Sequence, residues 1–122
     1  VRRIPTNTPL QAFVTMNDPV FVEAAQALAR RILRECAGND EDRVRFGLNL
    51  CLVRAPTREQ VVPVLELLKA EREVYRDRSE DAVKLATEPR GPLPVGLDVV
   101  DAAAWTVVAS VLLNLDGVLS NN

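Results

Sequence analysis

The run Ala102 to Leu115, AAAWTVVASVLLNL, carries no charge over 14 residues, and it constrains the fold more than any other part of the chain. Trp105, Val108, Leu112, Leu115 and Leu119 recur at helical spacing. Ala102, Ala103, Ala104, Val107, Val111 and Leu113 make the other faces apolar too. A helix apolar all round is central in its domain or covered by a partner. A bilayer span needs about 20 such residues, so the run predicts a buried helix and no membrane span. Asp98 is placed to cap it, and the expected helix ends near Leu119. Asn114 and Asp116 interrupt the apolar surface. An amide on a buried face must find a partner, so Asn114 is a candidate for fixing helix register or for binding a ligand.

Other helices must surround this one. Phe21, Ala25, Leu28, Ile32 and Cys36 share helical spacing and predict a helix over about 19–36, with Ala24 and Leu33 beside them. Glu23, Gln26, Arg30, Arg31 and Arg34 are expected on its polar side. Gly38-Asn39 ends this helix, and Asp40 is expected to cap the next, over about 41–54. The apolar stripe there is Val44, Leu48, Cys51 and Leu52. Gly47 lies within it, at a propensity cost of about 1 kcal/mol that close packing would explain. Thr57 with Gln60 forms a capping box before a helix over about 58–78. Val61, Val64, Leu65, Leu68 and Tyr75 are expected inside. Its charged second half, EREVYRDRSED, is expected in solvent, with Glu73 pairing to Arg76. A short helix follows at 80–87. EPRGPLPVGL, residues 88–97, is the clearest loop. No strand alternation, repeat or low-complexity tract is present. The fold class is therefore all-α: a compact bundle of four to five helices with a Pro/Gly-rich loop before the last. The 122 residues suggest a single helical domain, 1–122. Its start at Val1, without an initiator Met or a signal segment, reads as a fragment of a larger multidomain protein.

Composition excludes several functions. Fifteen basic and seventeen acidic residues leave a net charge of −2, the wrong balance for a dedicated nucleic-acid binder. There is no histidine. The commonest general base and transition-metal ligand is therefore missing, and two cysteines alone cannot complete a zinc or haem site. No catalytic, cofactor-binding or metal-binding residue is assigned. In an antiparallel hairpin, Cys51 would lie about 13 Å along the axis from the level of Cys36. A disulfide needs Cα atoms within about 7 Å, so two free, buried thiols are expected. Asp40, Glu41 and Asp42, and later Glu80 and Asp81, open helices where their charge suits the macrodipole.

The stretch TNTPLQAFVTMNDPVFVEAA, residues 6–25, writes two helix starts in succession. Thr8 caps, Pro9 follows, and Gln11 completes a capping box. A helix of about two turns spans 9–16. Asn17 closes it, and Asp18 with Pro19 opens the next. Thr6, Asn7, Thr8, Asn17 and Asp18 are the candidate polar site, with helix capping as the alternative use of the same residues. Arg2 and Arg3 precede this corner and could pair with carboxylates of a parent chain.

RRIPTNTPLQAFVTMNDPVFVEAAQALARRIL, NLCLVRAPTREQ and AWTVVASVLLNLD together resemble the PSD-one domain, a domain of unknown function. The family occurs at the C-terminus of large proteins abundant in planctomycetes. The three blocks come in the family's order and span nearly the whole chain. Gly117 stands where the family usually has an acid. The resemblance implies a periplasmic or secreted parent, often with a cytochrome-c-like haem domain upstream. Haem would belong to that domain, since the Cys-x-x-Cys-His attachment motif is not in this sequence. The expected function is a non-catalytic helical module that packs against the remainder of the parent polypeptide. The alternative is an accessory part of an enzyme acting on polysaccharide or in electron transfer, with its polar site at the TNTP and Asn17-Asp18 corner. A third reading is a dimerisation or ligand-binding module forming a homodimer.

Overall fold

The computed structural model describes residues 18–52 and 54–120, with side chains described up to residue 115. Five helices and no strand occur among the described residues: α1 (Pro19–Glu35), α2 (Asp40–Cys51), α3 (Arg58–Arg76), α4 (Ser79–Thr87) and α5 (Val99–Ser120). The expected helix over 9–16, Thr6, Asn7, Thr8 and Asn17, and the arginines before them lie outside the described residues.

The apolar run is the centre of the bundle. α5 packs against all four other helices, most extensively against α1, α3 and α4. Every residue from Ala102 to Leu112 is buried. The helix that could have been covered by a partner is thus covered by its own chain over this span. Its two buried hydroxyls bond to their own helix: Thr106 donates to the Ala102 carbonyl at 2.7 Å and Ser110 to that of Val107 at 2.6 Å. Asp98 accepts from the Asp101 amide at 2.9 Å, as a cap should. Among the described residues, no helix is long and apolar enough to cross a membrane.

The Thr57–Gln60 capping box forms in both directions, and the Glu73–Arg76 pair closes at 2.7 Å. Gly47 is where α2 meets the core. A Cβ there would lie 2.8 Å from Leu112 Cδ1 and 2.9 Å from Ile32 Cδ1, so any larger residue would have to displace these two buried methyls.

Four expectations about the helices need correction. α2 is capped by Asn39, not Asp40: Asn39 Oδ1 accepts from the Asp42 amide and Asp42 returns the bond, a reciprocal box. That helix also stops at Cys51, three residues early. The charged half of α3 is not wholly solvated, because Arg72 is drawn onto the body of the bundle. Its guanidinium clasps both Asp40 oxygens at 2.6 and 2.8 Å and donates through Nε to Asp101 at 2.7 Å, tying α3 to α2 and α5. Last, the buried face of α1 is turned from the expected one. Val22, Ala25, Gln26, Ala29, Arg30, Ile32 and Leu33 point inward, while Ala24 is exposed and Phe21 and Leu28 are only partly covered.

The two cysteines are not bridged to one another, as expected, but both are half-buried rather than buried.

Candidate functional site

The turned face of α1 brings two polar residues into the interior. Gln26 and Arg30 are one turn apart and so share a side of the helix. Opposite them lies the end of α4. A helix leaves its last four carbonyls without intrahelical partners, here those of Lys84, Leu85, Ala86 and Thr87. The chain supplies a donor to each. Glu88 N–H reaches the Lys84 carbonyl at 2.9 Å, and Gly91 N–H reaches that of Thr87. Gln26 Nε2 donates to the Leu85 carbonyl at 2.6 Å, and Arg30 Nη2 donates to that of Ala86 at 3.0 Å. α1 therefore caps α4 from outside, and a cation at a helix C-terminus also suits the macrodipole.

The same two side chains hold the loop that follows. Gln26 Nε2 also donates to the Glu88 carbonyl at 2.7 Å, and its Oε1 accepts the Arg90 N–H at 3.2 Å. Arg30 Nη2 also donates to the Gly91 carbonyl. The Glu88–Pro89 peptide is cis, and Gly91 sits at φ +114°, a left-handed conformation that favours glycine.

Arg30 is 8% exposed, and its acceptors are carbonyls rather than carboxylates. Its Nε is sealed from solvent without a partner among the described residues. Burial, with the Arg90 charge nearby, lowers its pKa from the ordinary guanidinium value. Among the described residues, Arg90 has one ion pair, to Glu23 at 3.7 Å. The contrasting site is Arg72, whose hydrogen bonds hold the Asp40 carboxyl below its ordinary range and push its own pKa upward.

A cleft of about 400 Å³ opens between the start of α1 and α4. Pro19, Val22, Leu85 and Pro89 give it an apolar lining, and Asp81, Lys84 and Glu88 give it charge. A second hollow of about 450 Å³ lies against the loop, at Thr87, Glu88, Pro89, Gly91 and Pro92. No group of three or more metal-ligating side chains occurs among the described residues. The cleft thus offers an apolar floor edged by one ammonium and two carboxylates.

Of the sequence-predicted site, Asp18 is described. It caps α1, accepting the Val20 N–H at 3.0 Å, and is exposed. Asn114 is half-buried on α5. Gln26 and Arg30 are expected from the sequence on the polar side of the helix, and the structure turns them inward. A signal for them was present: Val22, Gln26, Ala29, Arg30 and Leu33 are spaced three and four apart and form one stripe. Taking apolar residues alone as markers of the inner face hid it.

No curated protein and no solved structure matches the chain. The family described as PSD1, protein of unknown function (DUF1553), matches residues 1–68. The match takes in α1, with Gln26 and Arg30, as well as α2 and the first half of α3. It also holds the first two of the three resembling blocks, while AWTVVASVLLNLD lies beyond it. With more than half of its length matched, the chain belongs to the PSD1 (DUF1553) family of proteins of unknown function.

Proposed function

We propose that this chain is a non-catalytic helical module of an exported, cytochrome-c-type multidomain protein, and that it packs against the remainder of its parent polypeptide. The observation that supports this reading is where the interior polar groups go. Gln26, Arg30, Thr106 and Ser110 are the buried polar residues among those described. All four donate to carbonyls of their own chain. Donors spent in this way hold the fold together, and the two interior donors without a partner among the described residues, Arg30 Nε and Trp105 Nε1, are sealed from solvent.

The α1–α4 cleft is the docking surface in this reading. Pro19, the first residue of α1, lines it. A partner tethered in the same polypeptide gains effective concentration at such a surface. Haem would reside in an upstream domain, and the parent would work in the periplasm or outside the cell. The net charge of −2 gives no support for nucleic acid as a partner.

The test is calorimetric titration of the chain with the rest of its parent polypeptide. Saturable heat is expected, with Lys84→Glu on the cleft weakening association roughly tenfold, as loss of a charge contact can. Absence of association, or association indifferent to cleft substitutions, would refute the packing role.

A further inference from the structure

We infer that the α1–α4 cleft is the docking site of a segment of this same chain, residues 9–16, with Leu10, Phe13 and Val14 seated on its apolar floor. The inference rests on reading the cleft as a docking surface and names its first occupant. Pro19, Val22, Leu85 and Pro89 floor a cleft of about 400 Å³, a size that takes anchoring side chains rather than a folded domain. Leu10, Phe13 and Val14 stand three and four apart, so the helix expected over 9–16 carries one apolar face.

The tether favours this occupant. Asn17 is bonded to Asp18, and Asp18 directly precedes Pro19, which lines the cleft. Asp18 is itself held, its carboxylate accepting the Val20 N–H at 3.0 Å. The point from which the segment starts is therefore fixed beside the cleft. Phe13 stands six residues before Pro19, so its backbone lies within about 22 Å of Pro19 whatever path the chain takes. A tether this short gives an effective concentration on the order of millimolar, and the value falls as the tether lengthens. The nearest apolar stretch thus has the advantage over more distant ones. Charge agrees. Residues 4–17 carry no charge, and Arg2 and Arg3 give residues 1–17 two positive charges and no negative one. The cleft is edged by Asp81 and Glu88 against Lys84 alone. An uncharged stretch enters an apolar floor, followed by cations and not by acids that the two carboxylates would repel. The family match takes in residues 1–17 together with α1, so the segment and one wall of the cleft belong to the same family unit. Lys84, exposed on the rim, is left to meet the remainder of the parent.

The test is nuclear Overhauser spectroscopy of the full chain, labelled at methyl and aromatic carbons. Contacts from the Phe13 ring to the Val22 and Leu85 methyls are expected, unchanged on dilution. Phe13→Ser should shift the Val22 and Leu85 methyl resonances while those of Leu67 and Leu68, buried in α3, hold their positions. Where displaced Leu67 and Leu68 resonances show that the variant has lost its fold, the contacts in the unsubstituted chain decide. A Phe13 ring that touches neither Val22 nor Leu85 would overturn the inference. So would contacts found only between differently labelled molecules, which make a second copy the occupant. Cleft resonances that move only when the parent's remainder is added would also overturn it, while leaving the docking reading intact. Phe13 contacts in a chain that does not associate with that remainder would sustain the inference and refute the packing role.

Discussion

Gln26 and Arg30 carry the two substitutions of greatest consequence at the residue scale. Gln26→Leu fills similar space but strands the Leu85 and Glu88 carbonyls and the Arg90 N–H. Unsatisfied buried groups cost about 1–3 kcal/mol. A loss of about 2 kcal/mol in urea unfolding is expected for Gln26→Leu, against under about 0.5 kcal/mol for the neighbouring exposed Ala24→Ser. Gly47→Ala sets two effects against each other. Alanine gains about 1 kcal/mol in helix propensity. The new Cβ would meet Leu112 and Ile32 methyls inside 3 Å, and both of these side chains are fully buried, so they must repack within the core. Overpacking of this kind costs about 1–3 kcal/mol, so a net destabilisation of about 1 kcal/mol is expected by thermal unfolding. The requirement for a small residue at Gly47 was legible in the sequence as a glycine within an apolar stripe. The burial of Gln26 and Arg30 was legible only as their place on the stripe with Val22, Ala29 and Leu33, because periodicity records hydrophobicity and not the acceptors that a distant loop will offer.

Helix termini were more legible than helix faces at the scale of elements. The Thr57–Gln60 box is a local pattern, readable within four residues. Asn39 and Asp40 are both good caps, and the role falls to the one that is not drawn away by a long-range partner. Asp40 finds one in Arg72, 32 residues away, which leaves Asn39 as the cap. This clasp makes α2, α3 and α5 interdependent. Arg72→Met removes both carboxylate contacts and should cost about 1–2 kcal/mol, a value kept modest by the partial exposure of all three groups. It should also change the acid limb. The hydrogen bond from Arg72 depresses the Asp40 pKa in the folded state. A depressed folded value means that the contribution is fully present above the unfolded value, about 3.9, and is lost as pH falls through the folded one. Stability of the parent chain should therefore fall more steeply below about pH 4 than that of Arg72→Met. Parallel acid limbs in the two proteins would contradict the assignment.

The whole molecule depends on α5. Each of the other helices rests on it, so no pair of them forms a core alone. Unfolding should be a single cooperative transition in which the fluorescence of the fully buried Trp105 and the far-ultraviolet helical signal coincide. Leu112→Ala should lower stability by about 2–5 kcal/mol. The central place of this helix was the most legible feature of all, since a segment apolar on every side has few other destinations. What the sequence left open is how the last short helix and its loop are held, because the contacts join residues about 60 positions apart. That attachment, in which α1 spends its buried polar groups on α4 and the 88–91 loop, shapes the cleft. Native-state amide hydrogen exchange at Arg90 in the parent chain and in Gln26→Leu tests it most directly. Protection of the Arg90 N–H in the parent, lost in the variant while the α3 amides Leu67 and Leu68 keep theirs, is the predicted result. An Arg90 amide that exchanges freely in both proteins, or equally slowly in both, would contradict it.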